Sequence, residues 1–281
     1  MISFLLALNS EAKPLVDFYR LKKTEQGPFA HFVSPDNSVE VELLVAGIGA
    51  LSMAAGVAWL AGKSPMRNRV WLNLGVAGHA DMALGQIALV HGSADSTQSR
   101  AHYPPQVAKW AQSTAACLSF NAPCTDYPGD ALVDMEAHAF FNTAIKFSSS
   151  EIVQSLKVVS DNRDSNIEEL NASKITGLIS PHIETIVAYA KALQTLAMRD
   201  LVLYNKVEFP QFEWLDSLRA THSQRRQVTD LMRKAFVLDT LNDNVLKGLS
   251  ACSHVSEVLS QLNELTRLAQ PILPSQEVLG G

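Results

Sequence analysis

The chain has 281 residues, enough for one large domain or two small ones. With 47% hydrophobic and 18% charged residues it carries enough apolar side chains for a sizeable core, which excludes a disordered chain. Its net charge of −5 argues against a general nucleic-acid surface, and no apolar run reaches the roughly 18 residues of a membrane span.

Cys117, Cys124 and Cys252 show no metal-ligand spacing, and few scattered thiols suit a reducing cytoplasm. Residues 2–8 form a short apolar run that meets Glu11 with no basic leader, so a buried strand is expected rather than a signal peptide. Its continuous hydrophobicity predicts a strand covered on both faces, as in an α/β sheet. Residues 11–19 read as a helix with Ser10 as N-cap. Residues 31–33 and 39–45 read as a hairpin around the turn signal Pro35-Asp36-Asn37-Ser38. Gly47-Ile48-Gly49 then leads into an apolar helix over 51–60.

Residues 70–74 predict another buried strand, ending in Gly75-Val76-Ala77-Gly78, with a further strand over 85–90. Residues 93–105 read as a long loop, 106–115 as a helix and 121–128 as a loop. Residues 134–147 read as a buried helix, 152–159 as a strand and 183–197 as an amphipathic helix. Strands alternating with helices imply a layered α/β domain. Beyond about residue 200 the character changes. Residues 208–215 are aromatic and proline-bearing, 217–238 read as a long basic helix, 242–268 as helical and 271–281 as a loose tail. The expected division is a domain over 1–205 with a helical extension over 206–281 packed on it.

Taken singly, the polar residues have ordinary readings. Gly47-x-Gly49 is a tight turn or a phosphate cradle, but neither a dinucleotide fingerprint nor a P-loop. Gly75-Val76-Ala77-Gly78 is a plain turn or a close backbone approach to a ligand. Glu11, Asp134 and Glu136 suit helix starts, and Asp161 a cap or turn. His79 and His138 read as structural.

Their order is more specific. It runs strand-x-x-x-Glu11, Gly47-Ile48-Gly49, Asn73-x-Gly75-x-Ala77-Gly78, Gly85-Gln86-Ile87-Ala88-Leu89-Val90, Asp134-Met135-Glu136-Ala137, then strand-Ser160-Asp161. That series resembles the purine nucleoside phosphorylase and nucleosidase superfamily over roughly residues 1–200. The hydrolytic branch is the nearer likeness, the methylthioadenosine/S-adenosylhomocysteine nucleosidases and futalosine hydrolases. The resemblance implies a three-layer α/β fold with a central mixed twisted sheet, no metal and no cofactor. It implies a small nucleoside as ligand and a homodimer, for which the apolar stretch 50–61 is the candidate interface. Carried over, Asp161 would protonate purine N7, with Ser160 placing it. Glu11 would activate water, and Glu136 would bind the ribose hydroxyls with Met135 on the sugar face. Gly49 and Gly75-Val76-Ala77-Gly78 would line the ligand. Tyr103, Tyr127 and Phe141 are candidates to stack on the base.

In the phosphorylases an arginine precedes the glycine segment and another follows the first strand. Here those places hold Asn73 and Asn9-Ser10-Glu11, which favours hydrolysis. Val76 stands where the nucleosidases usually carry serine, and Asp134 where they carry glutamate. The alternatives are a phosphate-dependent phosphorylase, a non-catalytic nucleoside-binding protein, and an adaptor acting through the basic helix.

Overall fold

The computed structural model describes every residue except 26, 36–39, 65, 67, 98–100, 166–169, 207–213 and 269–281. The chain divides into two compact units, Met1–Val202 and Leu203–Gly281. Among the described residues the first holds ten strands. These are β1 (Ile2–Leu6), β2 (Lys22–Lys23), β3 (Ala30–Val33), β4 (Val41–Val45), β5 (Val70–Gly78), β6 (Ile87–Asp95), β7 (Ala101–His102), β8 (Ser113–Ser119), β9 (Ala131–Asp134) and β10 (Val153–Asp161). They form one mixed sheet in the order β2-β3-β4-β1-β5. From β5 the pairing runs both to β9 and to β10, and through β6 and β8 it closes into a ring. The helices are α1 (Asn9–Tyr19), α2 (Ala50–Lys63), α3 (Ala137–Ala144), α4 (Ala172–Ile179) and α5 (Ile183–Lys206).

The layering follows from strand periodicity. Side chains alternate across a strand, so Phe4 and Leu6 of β1 join Leu72, Leu74, Leu156 and Val158 in one core with Leu15 of α1 and Ile186 of α5. Leu5, Trp71 and Val159 face the other way, onto Met53, Val57 and Leu60 of α2 and Phe140 and Phe141 of α3. The sheet is therefore covered on both faces, as the unbroken apolar runs predict. The 30–45 hairpin is present, with β3 and β4 antiparallel from Ala30↔Val45 to Val33↔Glu42. Its turn at 36–38 lies outside the described residues, as do 208–213 and the tail over 271–281.

Several boundaries differ from expectation. α1 begins at Asn9, so Ser10 sits in the first turn and Leu8 is the cap residue. β5 continues through Gly75-Val76-Ala77-Gly78, which is strand rather than turn. The expected loop over 93–105 contains the end of β6 and the short β7 that pairs with it. Residues 106–115 form no helix. β8 starts at Ser113, and its alternation of buried small residues suits parallel pairing to β6 and β9. The expected helix over 134–147 is two elements. Ala131, Leu132 and Val133 are buried in β9, and α3 begins only at Ala137. α4, capped by Asn171, was not expected.

The second unit is helical, with α6 (Trp214–Ser217), α7 (His222–Val237), α8 (Asp243–Ser250) and α9 (Val255–Leu268). The long helix expected over 217–238 is broken because Thr221 caps α7, its hydroxyl accepting the Gln224 N–H. Asn242 likewise caps α8, and residues 251–254 separate it from α9. These helices enclose their own core of Leu218, Val228, Met232, Leu249, Val258 and Leu262. Among the described residues no helix is long and apolar enough to cross a membrane.

Candidate functional site

Three parallel strands, β1, β5 and β10, bring their carboxyl ends together. The carboxyl ends of parallel strands are where α/β proteins commonly bind ligands, in open sheets and in closed barrels alike. A cavity of about 260 Å³ lies there. Its wall includes Glu11, Val76, Ala77, Gly78, Met135, Glu136, Ser160 and Asp161. Residues spread over some 150 positions of sequence thus face one space. Gly49 and Gly75 stand behind this wall: Gly49 donates its N–H to Glu136 Oε1 at 2.7 Å, and Gly75 abuts Glu11.

Glu11 is fixed by the start of α1. Its Oε2 accepts the N–H groups of Ala7 (3.0 Å) and Leu8 (2.9 Å), and its Oε1 accepts Val76 N–H at 3.0 Å. Burial raises its carboxyl above the ordinary glutamate range, against the pull of the Val76 N–H and the Lys157 charge. Burial likewise raises Glu136, opposed by Lys157 and reinforced by Asp134. Asp161 accepts Ser160 Oγ on Oδ1 at 2.6 Å and Tyr127 Oη on Oδ2 at 2.7 Å.

Asp134, with no role assigned from sequence, is the partner of Lys157, at 2.7 Å between Oδ2 and Nζ. It also accepts Ser119 Oγ (2.6 Å) and Ala137 N–H (2.8 Å). Burial works to raise its carboxyl, yet Lys157 and these donors hold it below the aspartate range. Lys157, 1% exposed, is kept charged in turn: burial acts against the ammonium, but Asp134 and Glu136 outweigh it and raise it. The site is thus a buried cation under three carboxylates.

Close packing explains two glycines. A Cβ on Gly75 would lie 3.0 Å from Glu11 Oε1 and 3.3 Å from Lys157 Nζ. One on Gly78 would lie 2.6 Å from both Asp161 Oδ2 and Tyr127 Cε1. The small residues of β5 therefore admit protein side chains to the site floor.

Sequence reasoning missed Lys157 and Ser119. The available signal was Lys157 as the one charge inside the apolar run 152–159, since a buried charge requires partners. The stacking candidates are not in the wall. Phe141 belongs to the core under α2, Tyr103 is 77% exposed, and Tyr127 is buried against Asp161. The wall's apolar part is aliphatic and sulfur-bearing, including Leu8, Ile48, Cys124, Val133 and Leu170. His79 is structural: its Nδ1 accepts the N–H groups of Asp81 and Met82. His138 is held by Asn142 and lies away from this cavity. No group of three or more His, Cys, Asp or Glu among the described residues is arranged to hold a metal ion.

No family model and no curated protein matches the chain. Solved structures do. A 5′-methylthioadenosine/S-adenosylhomocysteine nucleosidase from S. pneumoniae, with the transition-state inhibitor MT-ImmA, is 18% identical with a TM-score of 0.54, over 68% of this chain and 99% of that one. One from Colwellia psychrerythraea 34H in complex with adenine is 17% identical with a TM-score of 0.51, over 64% and 92%. One from Neisseria meningitidis in complex with methylthio-immucillin-A is 15% identical with a TM-score of 0.51, over 66% and 98%. The likeness establishes the fold.

Proposed function

We propose that this chain, which has the fold of the methylthioadenosine/S-adenosylhomocysteine nucleosidases, is itself a nucleosidase. In this reading it hydrolyses the N-glycosidic bond of a purine-type nucleoside to free base and sugar. The observation that carries it is the convergence of Glu11, Glu136 and Asp161 on one cavity.

Cleavage at the anomeric carbon passes through an oxocarbenium-like sugar. The base leaves more readily when N7 takes a proton, which is the role of Asp161. Water attacks C1′, and Glu11 orients it and accepts its proton. A base is useful when its own affinity for a proton lies near the working range, and burial moves Glu11 in that direction. Glu136 binds the ribose hydroxyls and stabilises the developing positive charge, with Met135 against the sugar face. Ser160 orients Asp161. All of this chemistry falls within the Met1–Val202 unit, and the helical unit is read as an extension of it.

Hydrolysis is preferred to phosphorolysis because no arginine or lysine among the described residues lines the cavity. Asn73, where a phosphorylase would carry arginine, is committed internally: it donates to Leu5 O at 3.1 Å and accepts Ser155 Oγ at 2.7 Å. The reading includes a cytoplasmic homodimer through α2, where Leu51 is 88% exposed beside the cavity-lining Ile48. The test is a panel of purine nucleosides, methylthioadenosine and futalosine among them, assayed for free base with and without phosphate. Release without phosphate is expected. Strict phosphate dependence refutes hydrolysis, and binding without release makes the chain a nucleoside sensor.

A further inference from the structure

The segment 121–130, between β8 and β9, has one buried residue, Tyr127. Every other residue in it is exposed or half-exposed. Tyr127 is only 4% exposed and has φ +41°, a left-handed conformation that is unfavourable for a bulky residue. Its ring packs with Ala80, Val133, Phe120 and Cys124. Its hydroxyl donates to Asp161 Oδ2 at 2.7 Å. Gly78 leaves the opening through which the ring and the carboxylate meet. Two residues of the same segment, Pro123 and Cys124, line the cavity. A strained backbone, a missing Cβ and a buried hydroxyl are thus all directed at one oxygen of the proposed acid.

We infer that Tyr127 is a positioning residue for the acid step: its O–H stabilises the Asp161 carboxylate that forms as the proton passes to the leaving base. This inference rests on the nucleosidase reading. In the step, the C1′–N9 electron pair goes to the base, and the proton on Asp161 moves to N7. Water forms the new bond to C1′, and its proton goes to Glu11. The carboxyl thereby turns from neutral to anionic, while Tyr127 and Ser160 donate to it throughout. A hydrogen bond to a charged acceptor is worth roughly twice one to a neutral acceptor. The two hydroxyls therefore hold the acid more tightly in the transition state than in the ground state, which raises turnover rather than affinity. Burial and the adjacent Asp161 push the phenol well above its usual range, so it remains a donor and does not supply the proton itself.

Tyr127→Phe removes the hydroxyl and keeps the ring. It should lower kcat about tenfold with KM changed by no more than about twofold. The loss should shrink as the base leaves more easily, measured across 5′-methylthio ribosides that differ only in the purine. A loop-folding role would impair every member equally, and equal losses overturn the inference. A second readout is independent of turnover. The wild-type chain should show a downfield, slowly exchanging hydroxyl proton by NMR that is absent in Tyr127→Phe and displaced in Asp161→Asn. Its absence from the wild type also overturns the inference. If the resonance is present but the wild type cleaves no riboside, the nucleosidase reading fails and the rate claim falls with it.

Discussion

Lys157→Met isolates the electrostatics of the site floor. The ammonium is fully buried, pairs with Asp134 at 2.7 Å and lies beside Glu11. Methionine fills similar volume but leaves Asp134, Glu11 and Glu136 without their cation. Removing one partner of a buried ion pair typically costs about 3–5 kcal/mol, because the remaining charge is uncompensated. The cost should depend on pH in a definite sense. Asp134 is held below the aspartate range, so its contribution exists above its unfolded value and fades as pH falls through the folded one. Glu11 and Glu136 are raised, so the folded chain binds the extra protons and their contribution fades as pH rises. Without Lys157 all three carboxyls move upward, and protonation then relieves the variant. Urea unfolding should show the deficit at pH 8 narrowing by about half or more at pH 5. A deficit below about 1 kcal/mol, or one constant over that range, refutes the buried-cation account.

Other consequences follow from the same geometry. The raised Glu11 and Glu136 predict that kcat/KM falls on the acid side with a midpoint above the 4.5 of an ordinary glutamate, shared by the coupled pair; a midpoint at or below 4.5 removes Glu11 as the base. Gly78→Ala puts a methyl group within 2.6 Å of Asp161 Oδ2 and Tyr127 Cε1. It should cost about 1–3 kcal/mol in urea unfolding and lower kcat at least about tenfold. Val76→Ser adds a hydroxyl beside Glu11, whose Oε1 already accepts the Val76 N–H. Turnover should rise by about two- to fivefold, as one more hydrogen bond to the nucleophilic water would give; a fall would mean the apolar wall is required there.

Much of the candidate site was legible because its residues follow strands with largely apolar patterns. β1 and β5 are mostly apolar and β10 is apolar apart from Gln154, Ser155 and Lys157, and Glu11, Gly75-Val76-Ala77-Gly78 and Ser160-Asp161 lie at or near their ends. The hidden parts depend on pairing across distant elements. Asp134 reads as a helix start until β9 lies beside β8, which brings Ser119 to it, and until Lys157 rises from β10. Tyr127 reads as a loop residue and a candidate to stack on the base. Only the fold brings it against Asp161. β8 and β9 are short and rich in small residues, so their period is weak, and neighbouring strands decide their conformation.

The most direct test compares base release from methylthioadenosine in phosphate-free buffer by the wild type, Glu11→Gln and Asp161→Asn. The wild type should release base, and each variant should do so at least about a hundredfold more slowly while still binding the nucleoside. Near-wild-type rates in both variants would contradict the assignment of base and acid.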